Sequence, residues 1–233
     1  MHRQRLLWYV ILASWILQGC TETEAPNPDL SGSAYYPLET GNYWIYQVEE
    51  VEILPLGNDT SRYQLREVIS DSIVSSLGEV TYLLNRESRA DDSSPWRQDS
   101  LWTVRKNGQF AVVTQNSVPL IKLVFPVEAG KTWDGHALNN LGTVNYRFDP
   151  VDLTDVESSV DLSNASLIKT VISELESDIV GTDMRSEIYA NGIGLVQRDE
   201  LILVVCTSSN CQVLGEVVGG RFLSQVLLEY GAL

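Results

Sequence analysis

The chain has 233 residues, 44% of them hydrophobic, with 31 acidic against 16 basic side chains and a formal net charge of -15. A surface of that sign repels phosphate backbones, whose binding depends on basic groups displacing counterions, and so excludes nucleic acid as a partner. It is repelled by an anionic membrane surface as well, so membrane attachment would have to come from something other than a basic patch.

The first residues supply that something. Met1 to Arg5 carries Arg3 and Arg5, and Leu6 to Leu17 is apolar throughout apart from Ser14. A basic n-region ahead of a short apolar h-region is the anatomy of an export signal. At about 1.5 Å per residue the run is too short to cross a hydrocarbon core of about 30 Å. It ends in Leu17-Gln18-Gly19-Cys20, which resembles the lipobox of bacterial lipoproteins, Gln18 being a less usual occupant of its position. The resemblance implies cleavage after Gly19 and a diacylglycerol thioether plus an N-acyl chain, of the palmitate kind, on Cys20. Two or more acyl chains anchor a protein stably where one does so only marginally. The alternative is an ordinary secreted protein with a stray cysteine near its cleavage site.

Removing residues 1–19 leaves 214 residues with 14 basic and 31 acidic side chains, a net of -17 and enough chain for one large β domain or two small ones. Thr21 to Ala34 is acidic, carries two prolines and offers little apolar surface to offset the entropy of ordering. Residues 20–34 therefore read as a lipidated flexible tether and residues 35–233 as a single β domain.

From Tyr35 the pattern has period two. Trp44, Tyr46 and Val48 share one face of a strand, with Tyr43 and Ile45 on the other. Tyr63 to Ile73 and Val80 to Glu87 are two further strands joined around Leu77-Gly78, and Ala90 to Pro95 is a polar loop. Trp96 to Arg105 places Trp96, Gln98, Ser100, Trp102 and Val104 on one face, and Asn107-Gly108 then predicts a type I′ hairpin into Phe110 to Thr114. Leu120 to Phe125 is a strand, Gly130 to Gly135 a glycine-bounded turn, and Val144 to Phe148 extended again. Asp149 to Asn164 keeps neither period and is a loop or one short helix. Leu167 to Glu174, Arg185 to Ala190, Gly194 to Cys206 and Phe222 to Tyr230 complete the strands. The expected fold class is all-β, mainly antiparallel: one large twisted sheet, half barrel or barrel with at most one or two short helices, a sandwich being the alternative.

Cys206 and Cys211 flank Thr207-Ser208-Ser209-Asn210, a polar turn between the apolar runs Leu201 to Val205 and Val213-Leu214. The spacing reads as a hairpin with its cysteines facing each other, joined as a disulfide in an oxidising compartment, free thiols being the other state. A structural zinc site wants four Cys or His ligands, and His136 is the only histidine outside the signal.

Three stretches carry a family likeness. Tyr36-Pro37-Leu38-Glu39-Thr40-Gly41-Asn42-Tyr43-Trp44-Ile45-Tyr46, Phe125-Pro126-Val127-Glu128-Ala129-Gly130-Lys131-Thr132-Trp133-Asp134-Gly135 and Tyr189-Ala190-Asn191-Gly192-Ile193-Gly194-Leu195-Val196 resemble the PLxxGxxWxY, FPxxxGxxWxG and YAxGIGLV stretches of uncharacterised bacterial lipoproteins akin to TapB-like proteins. The resemblance implies a large twisted sheet or half barrel similar to lipoprotein-carrier and lipoprotein-receptor folds. Glu22 and Glu24, soon after Cys20, resemble a surface-export signal. In physical terms the motif residues are structural: Gly41 and Gly130 allow turns, Trp44 and Trp133 cover a core edge, and Gly192-Ile193-Gly194 bends the chain.

Chemistry is thinly represented. His136 lies near Asp134, but no Gly-x-Ser-x-Gly is present. Asp91-Asp92 and the set Asp149, Asp152, Asp155, Glu157 and Asp161 could serve glycoside hydrolysis or calcium, without the spacing of an EF-hand. Trp96 and Trp102 suit a core better than a sugar platform. The expectation is an outer-membrane lipoprotein, lipid-anchored on the periplasmic face or cell surface, with no cofactor. It would act as a binding or structural module for an apolar ligand or an envelope protein, the alternative being a hydrolase with a carboxylate pair in a cleft. A concave pocket with a lone buried carboxylate pair would favour the enzyme.

Overall fold

Alternating apolar residues force one face of each strand out of water, and a long meander of such strands can satisfy this by curling around the shared face. The computed structural model describes residues 31–177, 181–208, 211 and 213–233, and Cys20 lies outside them. Twelve strands form one antiparallel sheet, curled into a nearly closed barrel: β1 (Asn42–Ile53), β2 (Asp59–Val74), β3 (Val80–Arg89), β4 (Arg97–Lys106), β5 (Phe110–Gln115), β6 (Val118–Val124), β7 (Thr132–Asp134), β8 (Asn145–Asp149), β9 (Leu167–Ser177), β10 (Gly181–Ala190), β11 (Gly194–Val205) and β12 (Val217–Ala232). The only helical turns among the described residues are 3-10 turns at Ser33–Tyr35 and Leu153–Asp155.

The sheet order is β6-β5-β4-β3-β2-β1-β12-β11-β10-β9-β8-β7, so every neighbour in space is a neighbour in sequence except at the β1–β12 seam. There Trp44 lies opposite Tyr230 and Ile53 opposite Gly220. The far edges β6 and β7 approach through Ile121 N–H donating to Gly135 O at 2.9 Å and Trp133 Nε1–H donating to Ile121 O at 2.9 Å. Trp44, Tyr46 and Val48 of β1 are buried together with Leu65 and Ile69 of β2, Leu84 of β3 and Val104 of β4. A second cluster of Tyr35, Ala111, Leu123, Phe125, Phe148, Ile168 and Tyr189 fills the interior where the barrel closes.

Several local expectations change. Asn107-Gly108 does join β4 to β5, but neither residue has positive φ; instead Asn107 Oδ1 accepts the N–H groups of Gln109 and Phe110. The two-residue turn with both φ positive is Asn116-Ser117, at 49° and 68°, between β5 and β6. Trp96 and Trp102 do not share a face. Ser100 lies opposite Arg86 and Gln98 opposite Glu87, so β4 carries one extra residue there and its alternation inverts. Trp102 is stacked by Arg86 at 3.7 Å on the inner face, whereas Trp96 is stacked by Arg66 and Arg89 on the outer one.

The predicted turn Gly130 to Gly135 contains β7, and the cysteine hairpin has its second arm at Val217 and not at Val213. Cys206 is hydrogen-bonded across to Glu216, so Cys211 sits within the connecting loop, its sulfur joined to that of Cys206 at 2.04 Å. Residues 31–34, read as tether, are docked: Val127 N–H donates to Ser31 O, Gly192 N–H to Ala34 O, and Lys106 Nζ to Ser33 O and Tyr36 O.

The acidic segment 150–166 is a strap. Glu157 N–H donates to Gln197 Oε1 and Ser159 N–H to Leu227 O, while Val151, Val156 and Val160 pack on the main cluster. Gln197 alternates with the inward-facing Arg198, so the strap lies on the outside of β11 and β12.

Candidate functional site

Inside the barrel the alternation that buries apolar groups also buries charges. Lys122 of β6 lies between Ile121 and Leu123, Glu187 of β10 precedes Ile188, and Arg198 of β11 stands opposite Glu187. The curl of the sheet brings β6 and β10 together across the interior, where Lys122 Nζ donates to Glu187 Oε1. Glu187 is 1% exposed; its Oε1 also faces Arg198 Nε at 3.8 Å, and its Oε2 accepts the Tyr189 hydroxyl at 2.6 Å. Arg198 in turn donates to Glu200 through Nε at 2.9 Å and through Nη2. On the opposite wall Arg86 Nε meets Glu67 Oε1 at 2.9 Å over the Trp102 ring. Each of the carboxylates Glu67, Glu187 and Glu200 thus has its own cation.

The electrostatics follow from this arrangement. Burial pushes the Glu187 carboxyl upward, but Lys122, Arg198 and the Tyr189 hydroxyl together hold it below the usual glutamate range. Burial raises the Tyr189, Tyr36 and Tyr46 phenols well above the ordinary tyrosine range, with the Glu187 charge adding to the effect. Burial likewise pulls the Lys122 ammonium down, against the pull of Glu187.

Between the two ion-paired walls lies a cavity of about 40 Å³ lined by Tyr36, Trp44, Tyr46, Trp102, Lys122 and Glu187 among others. At roughly 10–15 Å³ per water-sized site it has room for two or three waters, far from the several hundred cubic ångströms of a small-molecule pocket. Chemically the interior is a neutralised polar core, and its charges are engaged with one another.

The residues singled out from sequence are dispersed. Cys206 and Cys211 are joined in the β11–β12 loop. His136 sits beyond β7 with Nδ1 3.2 Å from Gly142 O, and Asp134 spends its Oδ1 on the N–H groups of His136 and Val144. Asp91 caps Ser93 and Ser94, and Asp92 pairs with Arg89. Asp149 pairs with Arg147 and Asp161 accepts the Ser163 N–H, so the acidic set of the strap is not gathered. Among the described residues no group of three or more His, Cys, Asp or Glu side chains could hold a metal.

The motif residues meet as struts. Trp44 Nε1–H donates to Ile193 O at 2.6 Å, and a Cβ on Gly194 would lie 3.3 Å from that nitrogen and 3.4 Å from Pro37 Cδ. The first and third stretches therefore lock the start of β1 to the β10–β11 turn. The second closes the barrel through Trp133, whose ring packs at a tilt of 50° on Phe148 with the centroids 4.4 Å apart. No sequence motif marks the Lys122–Glu187–Arg198 network. The available signal was a lysine in the middle of an apolar strand and a glutamate in another.

No family model matches the chain, and no curated protein matches it. A Bacteroides fragilis crystal structure, described as a candidate exported protein with a YmcC-like fold, overlays 84% of this chain and 98% of its own at 10% identity and a TM-score of 0.44.

Proposed function

We propose that the chain is a lipid-anchored outer-membrane lipoprotein, of the group carrying the three stretches above, whose barrel is an interaction module for an envelope protein. The anchor rests on Leu17-Gln18-Gly19-Cys20 behind its export signal. The preference for an interaction module over a hydrolase rests on one observation: Glu67, Glu187 and Glu200 are each held by Lys or Arg. A carboxyl catalyst needs an acid or base free to exchange a proton with its substrate, whereas each of these carboxylates is already engaged with a cation. A cavity of about 40 Å³ also favours a protein partner on the outside over an apolar ligand within.

Mass spectrometry of the protein extracted from membranes, before and after delipidation, tests the anchor. The expected species begins at Cys20 and carries acyl mass, and an intact Met1 terminus without acyl mass overturns the reading. A purified chain that hydrolyses glycosides, losing activity on carboxylate substitution, would overturn the preference for an interaction module.

A further inference from the structure

The ends of the strands are unlike one another. At one end, Ser31 to Ala34 dock against Val127, Lys106 and Gly192. At the other, the β1–β2 and β11–β12 loops stand side by side, because Ile53, Gly220 and Leu203 form one cross-strand row. This second end carries a rim of exposed aliphatic side chains: Leu54 at 44%, Leu56 at 102%, Val204 at 53%, Val213 at 62%, Leu214 at 75% and Val217 at 41%. They belong to two hairpins joined by the neighbouring strands β1 and β12, so they stand along one end of the sheet, and grouped exposed aliphatics mark an interaction surface where single ones do not.

Just inside the rim is a depression of about 450 Å³ lined by Glu50, Glu52, Asp59, Ser61, Gly220 and Arg221. Glu52 and Asp59 are direct cross-strand partners, both exposed. Like charges directly opposite in an antiparallel pair destabilise it. Arg221, across from Glu52 on β12, turns its guanidinium to Glu50 at 2.8 Å and Glu200 at 3.5 Å. Among the described residues no cation pairs with Glu52 or Asp59.

We infer that this end of the barrel docks a protein segment that is both cationic and apolar, a Lys or Arg entering between Glu52 and Asp59 while aliphatic neighbours pack on Leu54, Leu56 and Val217. Charge complementarity selects this occupant. A second copy would set one acidic mouth against another, and an anionic lipid surface would be repelled by the same carboxylates. The surface deepens the interaction-module reading and rests on it for the existence of a partner.

Binding of synthetic peptides of equal length to the full mature chain tests the inference, with alternating Lys/Leu, Lys/Ser and Glu/Leu sequences as probes. The Lys/Leu peptide is expected to bind about tenfold tighter than either of the others. Glu52→Gln with Asp59→Asn, and separately Leu54→Ser with Leu56→Ser, should each weaken it by about tenfold. Asp152→Asn with Asp155→Asn, the same charge change made on the strap, should weaken it by less than about twofold if the site and not the overall charge is read. The Glu52/Asp59 variant should also melt higher than the parent, since it removes a facing like-charge pair, which separates lost binding from lost folding.

The inference is overturned if Lys/Ser binds as well as Lys/Leu or if the two charge-reduced variants behave alike. It is equally overturned if the Leu54/Leu56 variant abolishes a dimer or binding to phosphatidylglycerol vesicles while leaving peptide affinity unchanged. Rim-specific peptide binding by a chain that lacks acyl mass on Cys20 would leave this inference standing while the anchor reading falls.

Discussion

Replacing Glu187 with Gln keeps the shape of the side chain and removes the one charge that three groups share. Lys122, 8% exposed, then faces a neutral amide, Arg198 loses one of its two carboxylates, and the Tyr189 hydroxyl keeps only a weaker acceptor. Breaking a buried pair by removing one partner costs about 3–5 kcal/mol, because the remaining charge stays desolvated without compensation. For a domain of this size each 1 kcal/mol moves the melting temperature by about 2–4 °C, so Glu187→Gln should lower it by about 6–20 °C. Removing both charges is different: Lys122→Met with Glu187→Gln leaves no orphaned ion between them and should recover most of the loss. Urea unfolding of the parent, the two single variants and the double variant gives the coupling energy directly. A Glu187→Gln cost below about 1 kcal/mol, or costs that simply add in the double variant, would refute the claim that the interior is held as a charge network.

Other outcomes follow from the same structure. The Glu187 carboxyl is held below its unfolded value, so its stabilisation is complete above the unfolded glutamate pKa of about 4.3 and is lost as pH falls through the folded value. The urea midpoint should therefore fall as the pH is taken below the unfolded glutamate value of about 4.3, and fall less in Glu187→Gln. Gly135→Ala sets a Cβ 2.4 Å from the Tyr146 ring and should cost about 1–3 kcal/mol, with the ring displaced from its edge contact on Trp133 in the near-ultraviolet spectrum. Gly194→Ala combines a φ of +104° with contact on Trp44 and should destabilise by about 1–2 kcal/mol, read by tryptophan fluorescence on urea unfolding. Replacing Cys206 and Cys211 with Ser should cost about 2 kcal/mol, the low end for a short closed loop; two titratable thiols in the denatured, unreduced protein would refute the bridge.

Much of the barrel is legible because its strands are long and keep period two, so Trp44, Tyr46 and Val48 announce their own buried face. What escapes is whatever depends on an extra residue or a distant partner. The inverted alternation at Ser100 comes from a bulge that no propensity marks, and it sends Trp96 and Trp102 to opposite faces. Asn107 uses its side-chain oxygen where its backbone was expected to turn, while Asn116-Ser117, without a glycine, takes both positive φ values. The strap shows no period because its valines answer to the outside of β11 and β12 and not to one another. The ion network is the hardest case: Lys122 and Glu187 are 65 residues apart and look like solvated charges until the curl of the sheet encloses them.

The seam between β1 and β12 sets an order in time. Every other strand pairing joins neighbours along the chain and can form as soon as both have emerged, but Trp44 of β1 must wait for Tyr230 of β12, after all the other strands. Until then β1 presents the backbone edge destined for β12 with nothing on it, and such edges invite foreign pairing. Non-local pairing of this kind slows folding. A chain threaded through a membrane pore from its N-terminus would thus remain open until β12 arrived, and loss of residues 222–233 should prevent β1 from closing on it.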